Sequence, residues 1–293
     1  MESGTLFGMT TSRSSTAYTD LALASFFKNT LLRYNDNFVL IDNDNVWDNP
    51  PNAFTSVIHN DAPKSFAENV NSLIKLAQQN GQNLMFLSND IVLTPNWFTP
   101  LEQNNAITIP CCNQIFQYKS GSLDLESVHD LERYNNQYEE LCNIVKNHIS
   151  SMTINSFDKL MMPFYAFRLP KEVYDVVGYL DESFINGGED LDYRLRALLL
   201  NIPVAYIAQS FVLHFNGKST WQSNEDIQRT KDRDLFYKRM FTDKWGVDLC
   251  HLMTVGQDPN EILKKHNLMH FNPAHHTHAD LIRTVLKLTN KEI

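Results

Sequence analysis

The chain has 293 residues, with 25 Lys and Arg against 34 Asp and Glu and a formal charge of -9. Its 43% apolar and 20% charged residues are a globular composition, which excludes disordered and fibrous classes. The acidic balance argues against a broad electrostatic grip on nucleic acid or on a membrane surface, and leaves a locally basic site open.

Cys111, Cys112, Cys142 and Cys250 form no CxxC pair, as expected of small core residues in a reducing compartment. The opening Met-Glu-Ser-Gly carries no basic segment followed by an apolar run, and no stretch of about 18 apolar residues occurs. The expectation is a cytoplasmic protein with no membrane span.

In chain order, Thr5–Thr10 reads as a buried strand and Tyr18–Leu32 as a helix with Leu21, Leu23, Phe26, Phe27 and Leu31 inward. Asn37–Asp42 is a second strand ending in Asn43-Asp44-Asn45. A weaker strand at Ser56–His59 precedes a helix from Pro63 to Gln79, with Phe66, Val70, Leu73, Ile74 and Ala77 at helical spacing. Gln82–Leu87 is a fourth strand, ending in Ser88-Asn89-Asp90, and Ala106–Pro110 a fifth. Leu123–His148 has the spacing of a surface helix. Lys171–Val177 is a short helix, and another runs from the Gly187-Gly188-Glu189-Asp190 turn to Asn201. Pro203–Ile207 and Ser210–His214 read as two further strands, and the charged segment after Trp221 as helical. Alternating strands and helices predict a largely parallel sheet covered on both faces, with ligands at the C-terminal strand ends. Those ends carry Thr10-Thr11-Ser12, Asp42-Asn43-Asp44 and Asp90.

Three polar groups recur at such positions: Asp90 at a strand end, Glu189-Asp190 at a helix start, and His214 closing a strand before Asn216-Gly217-Lys218-Ser219. Taken singly, these are also ordinary turn, first-turn and strand-end residues. Together, carboxylate oxygen and imidazole nitrogen suit Mg²⁺ or Mn²⁺, with phosphate oxygens and water completing the coordination. No GxGxxG follows the first strand and no GxxxxGK[ST] is present, so neither a dinucleotide fold nor a P-loop is expected.

Over about residues 5–221 the sequence resembles the inverting glycosyltransferases of family 2, of GT-A nucleotide-sugar fold. Met9-Thr-Thr-Ser-Arg13 is similar to that family's first strand and loop, and Ile41-Asp42-Asn43 to its V-D-N element. Ser65-Phe-Ala-Glu-Asn69-Val-Asn71 with Ile74-Lys75 is similar to its G-F-A-x-x-N-x-G-I-R helix, with Leu73 in place of the glycine. Phe86-Leu-Ser-Asn-Asp90 with Thr94-Pro95-Asn96-Trp97 resembles F-L-N-N-D-x-x-x-T-P-x-W. Gly178–Phe184, Gly188-Glu-Asp190-Leu-Asp192 and Arg196 resemble G-x-F-D-E-x-F followed by G-E-D-x-D-x-x-x-R, and His214, Gly217 and Ser219-Thr220 the closing H-x-x-G-x-S-T. Two departures stand out: the metal motif, Asp-x-Asp in many relatives, here reads Ser88-Asn89-Asp90, and Asp44 replaces a Gly-Ser.

The resemblance implies an α/β fold of GT-A type, with a mostly parallel central sheet, helices on both faces and a C-terminal helical extension. It places a catalytic domain at 1–222 (a nucleotide-binding half at about 1–110, an acceptor half at about 111–222) and the extension at 223–293. The implied reaction moves a sugar from a nucleoside-diphosphate sugar, UDP foremost, to an acceptor hydroxyl. Asp190 would be the general base beside Glu189, and Asp90 and His214 would hold Mn²⁺ or Mg²⁺. Nucleotide and sugar contacts would come from Thr10, Arg13, Asp42 (holding the base), Asn71, Asn89, Asp90, Gly188 and Lys218. Acceptor contacts would come from Asn113, Phe164, Tyr165 and Trp221. Asp192 and Arg196, four apart, read as a structural ion pair. A glycan, a lipid-linked saccharide, a protein and a modified nucleic-acid base all stay open as acceptors. Two other readings stand beside this one. One is a catalytically weak GT-A-like protein that binds carbohydrate or a partner. The other is a metal hydrolase on His266, His270, His275, His276 and His278, which lacks a HExxH pattern.

Overall fold

In the computed structural model, which describes residues 3–47, 50, 52–113, 131–160, 164–185, 187–215, 227–254, 259–271 and 276–290, the first half follows the predicted order. The strands β1 (Thr5–Thr11), β2 (Asn37–Asp42), β3 (Thr55–His59) and β4 (Asn83–Leu87) are all parallel, ordered β3-β2-β1-β4. Their apolar runs are buried because the helices α1 (Thr16–Asn29) and α2 (Phe66–Asn80) pack over them. Leu31, expected on the inner face of the first helix, is instead 94% exposed. The reason is local: α1 ends at Asn29 and Thr30 is extended, so Leu31 lies beyond the helical periodicity. A capping box between Ser65 and Glu68 starts α2, and Gly81 at φ +64° ends it.

Beyond β4 the chain builds β5 (Ile91–Leu93), α3 (Thr99–Glu102), β6 (Ile107–Cys112), α4 (Leu131–Ser151), β7 (Ser156–Phe157), β8 (Ala166–Leu169) and α5 (Lys171–Val177). Then come α6 (Glu189–Leu199) and β9 (Val204–His214). The sheet continues β4-β8-β6-β9-β5, with β7 on β9. Its second half is mixed: β8 is antiparallel to β4 and β6, and β9 is parallel to β6 but antiparallel to β5. Ser88 N–H donates to the Tyr165 carbonyl at 2.8 Å, so the chain enters β8 at the end where β4 leaves the sheet. The two strands predicted at 203–207 and 210–214 are one, because a register shift at Pro110/Cys111 carries β9 past the irregularity. Phe7, Phe26, Phe38, Trp97 and Phe98 form an aromatic core with centroid separations such as 4.6 Å for Phe26–Phe38 and 4.8 Å for Phe7–Phe98.

The last segment folds as α7 (Ile227–Trp245), α8 (Val247–Met253), α9 (Pro259–Lys265) and α10 (His278–Leu288). A second apolar cluster joins them to α6 and the segment before it. Phe184 and the α6 residues Leu191, Leu195 and Leu198 pack with Tyr237, Phe241, Trp245, Ile282 and Val285. Among the described residues no helix is long and apolar enough to cross a membrane.

Gly8 on β1 faces α2 so closely that a Cβ there would stand 2.4 Å from Leu73 Cδ1. Gly8→Ala is therefore expected to destabilise the protein by about 1–3 kcal/mol, read as a lowered unfolding midpoint. A midpoint equal to wild type would contradict this packing.

Candidate active site

The C-terminal ends of β1, β2 and β4 border a cavity of about 680 Å³. Thr10 and Thr11 end β1 and Ser12 follows it, Asn43 and Asp44 follow β2, Lys64–Phe66 and Asn69 lie at the head of α2, and Ser88 and Asn89 follow β4. Glu182 and Ile185 close the side nearest α6.

Asp42 lies beneath this cavity, not on its wall. It is wholly buried, and its carboxylate accepts the N–H groups of Asp44 (3.3 Å), Val46 (2.7 Å) and Trp47 (2.8 Å), with His59 Nδ1 at 3.3 Å. Its bonds fold the β2 loop over itself. Asp44 is the carboxylate on the wall: Oδ2 accepts the Arg13 N–H at 2.8 Å, and Oδ1 accepts no bond among the described residues. Arg13 thus contributes its backbone, while its side chain is exposed. Behind Asp44, Asn43 Oδ1 accepts from Asn60 Nδ2 (2.8 Å) and Lys64 N–H (2.8 Å), and Asn60 Nδ2 also donates to Asn69 (2.9 Å). The sequence marks Asp44 as a strand-end residue and a departure from the family pattern but not as a site residue, and it gives no sign of this amide network.

Asn71 also acts through its neighbours. It donates to the Leu180 carbonyl (3.0 Å) and Glu182 Oε1 (2.8 Å) and accepts the Leu180 N–H (2.8 Å), clamping the 178–184 loop to α2. Asn89 Nδ2 donates to Ser15 and Thr19, each at 2.8 Å, and its buried Oδ1 has no partner among the described residues.

The pairing of β5 with β9 brings Asp90 and His214 together. Asp90 Oδ1 stands 3.4 Å from His214 Nε2 and accepts a 2.6 Å bond from Ser88 Oγ, the residue that replaces the usual first acid. Burial opposes charge on His214, yet the Asp90 carboxylate prevails and its pKa is pushed up to about 10. Nε2 can ligate a metal only once the imidazolium proton is released; the carboxylate oxygen and the freed imidazole nitrogen would then offer one edge of an Mg²⁺ or Mn²⁺ site, the remaining positions falling to ligand oxygens. Asn113 and Tyr165, expected at an acceptor, both brace this histidine. Asn113 accepts the His214 N–H (2.7 Å) and donates to its carbonyl (3.2 Å). The Tyr165 ring stacks on the imidazole at 4.9 Å, and its hydroxyl donates to the Pro110 carbonyl. Phe164 is buried against Phe167 and Tyr193. Lys218 and Trp221 lie outside the described residues.

At the start of α6, Gly188 takes φ +87°, and a Cβ there would meet Phe184 at 3.0 Å and Tyr237 at 3.1 Å. The glycine pair thus admits the Tyr237 ring of α7. Glu189 is 4% exposed and accepts the Gly187 N–H at 2.6 Å. Burial and then the neighbouring Asp190 charge push its pKa up to about 7. Burial also raises that of Asp190, although the N–H groups of Phe164 (3.2 Å) and Leu191 (2.8 Å) hold its carboxylate. Asp192 and Arg196 form the expected ion pair at 2.9 Å.

The C-terminal histidines do not converge. His266 bonds Asp248 (2.6 Å), His278 bonds Asp158 (2.6 Å), His270 meets the Asn267 carbonyl (3.0 Å) and His276 stacks on Phe271, while His275 lies outside the described residues. Among the described residues no group of three or more His, Cys, Asp or Glu is placed to hold a metal.

No protein-family model matches the sequence, and no curated protein matches it significantly. Solved structures do match the fold. GalNAc-T7 with UDP, GalNAc and Mn²⁺ matches with a TM-score of 0.55 at 14% identity, over 90% of this chain and 55% of that one. TarS 1–349 of S. aureus in complex with UDP-GlcNAc matches with a TM-score of 0.52 at 10% identity, over 94% and 74%. The fold is that of the GT-A glycosyltransferases, as the sequence motifs implied. The chain spans about half the length of the GalNAc-T7 structure.

Glu189 also gives the fold a pH dependence. Its pKa lies near 4.5 when unfolded and about 7 when folded, so the folded state holds the extra proton between those values. The contribution of Glu189 to stability is full below pH 4.5 and is lost as pH rises towards 7. Glu189→Gln should flatten the unfolding midpoint across that window; an unchanged slope would contradict the assignment.

Proposed function

We propose that this protein is an inverting glycosyltransferase of family 2 type. It moves a sugar from a nucleoside-diphosphate sugar, a UDP-sugar foremost, to an acceptor hydroxyl. The observation that carries this reading is the sequence of groups around one cavity. Its wall runs through Ser88 and Asn89, adjacent in the chain to the Asp90–His214 pair, and through Glu182 and Ile185, just ahead of Glu189-Asp190. A nucleotide would lie against Thr10–Ser12 and Asp44, with its diphosphate towards Asp90 and the sugar towards the α6 turn.

Asp90 and His214 would hold the divalent cation, and a bound Mn²⁺ or Mg²⁺ supplies positive charge to a leaving diphosphate. Ser88 Oγ fixes the rotation of the Asp90 carboxylate, Tyr165 stacks on the His214 ring, and Asn113 pins the His214 backbone. Asp190 takes the proton of the acceptor hydroxyl as that oxygen bonds to the anomeric carbon. The bond to the diphosphate breaks on the opposite face, which inverts the configuration. Burial makes Asp190 a stronger base than a surface aspartate, which suits proton removal near neutral pH. Glu189 holds the turn through Gly187 and sets the charge that Asp190 faces.

The role that the resemblance gives to Asp42 passes to Asp44. Asp44 faces the cavity with an unused carboxylate oxygen, a natural acceptor for the N3–H of uracil. The four cysteines are free and buried, in keeping with a cytoplasmic setting.

Two substitutions test the reading. With Mn²⁺ and a panel of nucleotide sugars, Asp190→Asn should lower kcat by about 100-fold or more while leaving UDP affinity intact. Full activity in that variant would overturn the base assignment. Asp44→Asn should weaken UDP by about 10-fold and leave CDP unweakened, since an amide can donate to the cytosine N3. Unchanged UDP affinity would remove Asp44 from the base site.

A further inference from the structure

One face of α7 lies along the turn that carries Glu189 and Asp190 and touches it at successive helical turns. Tyr237 packs on the glycine pair, where added Cβ atoms at Gly187 and Gly188 would each stand 3.1 Å from its ring. Four residues later Phe241 meets Phe184 edge-on at 6.4 Å. Four residues beyond that, Trp245 Nε1 donates to Asp192 Oδ1 at 2.8 Å, and Lys244 Nζ reaches the same oxygen at 2.7 Å. The spacing 237, 241, 245 is one helical stripe, so these contacts come from a rigid edge.

Asp192 is the fixed point of this arrangement. It is wholly buried and two residues past Asp190 on the first turn of α6. Its Oδ2 accepts Arg196 Nε at 2.9 Å, and Arg196 in turn donates to the carbonyls of Val177 and Tyr179, each at 2.8 Å. Lys244 also binds Asp181 Oδ2 at 2.5 Å. One buried carboxylate thereby joins α6, the 177–181 loop and the end of α7. Removing a partner from such a group leaves a buried charge short of donors, and the segment it holds must give. Upstream on α7, the charge of Arg233 favours the ionised form of Glu189.

We propose that α7 is a splint for the catalytic turn, with Trp245, Lys244 and Asp192 as positioning residues that hold Glu189 and Asp190 in working orientation. On this reading α7 is part of the active-site support. The kinetic part of this proposal rests on the transferase reading above; the structural part stands without it.

The test uses the full chain with Trp245→Phe, which keeps an aromatic ring and removes the N–H, and Lys244→Met, which keeps a stem against the Phe184 and Trp245 rings. Amide hydrogen exchange across residues 187–191 should speed up by about 10-fold in each variant. The sugar-transfer kcat should fall by about 10-fold with donor KM within about twofold, since misorientation affects chemistry more than donor binding. Lys244→Arg should recover most of both losses. Wild-type exchange at 187–191 and wild-type kcat in folded variants, even with a lowered unfolding midpoint, would overturn the proposal. If Trp245→Phe fails to fold, Lys244→Met decides by the same two readouts. If wild type transfers no sugar, the transferase reading fails, and the exchange result alone judges the splint.

Discussion

Burying an ionised carboxylate costs several kcal/mol unless other donors replace its water, and this chain buries Asp42, Asp90, Glu189 and Asp192 almost completely. Each is compensated differently, and the compensation decides what each can do. Backbone amides saturate Asp42, which makes it a loop former. Asp192 has an arginine, a lysine and an indole, which makes it a joint between elements. Asp90 meets a hydroxyl and an imidazole through Oδ1, which makes it the acid of the candidate metal pair. Glu189 has too little, so its proton stays on to about pH 7. The wall of the cavity, the candidate metal pair and the turn at the start of α6 follow from where these four groups find their partners.

Local pattern made much of this legible. Apolar runs and helical spacing located β1, β2, β4, α2 and α6, and the turn residues after those strands are the ones that line the cavity. Asp90 and His214 meet as expected, because a strand-end acid and a strand-end histidine fall opposite each other once β5 pairs β9. What the sequence hid were partners set by tertiary register. Three residues are too few to show a period, so β5 was missed. The antiparallel course of β8 depends on where the chain re-enters the sheet, which strand composition does not encode. Asp42 and Asp44 are equivalent as letters, and only the closing of the loop by Val46 and Trp47 turns one inward and leaves the other on the wall.

The division near residue 222 had the same difficulty. Charge and helical pattern set 223–293 apart, yet Trp245 meets Asp192 across 53 positions and Tyr237 fills the space left by two glycines. The apolar stripe of α7 shows that it packs, but not against what. A helix that looks peripheral in sequence shares a core with α6.

The central claim is that the cavity at the ends of β1, β2 and β4 holds a nucleoside diphosphate through a cation bound at Asp90 and His214. Calorimetric titration of UDP into the protein with and without Mn²⁺ tests it most directly. The account predicts binding that strengthens by about 10-fold or more with Mn²⁺, a gain that Asp90→Asn abolishes. UDP affinity indifferent to the metal, or no UDP binding at all, would contradict it.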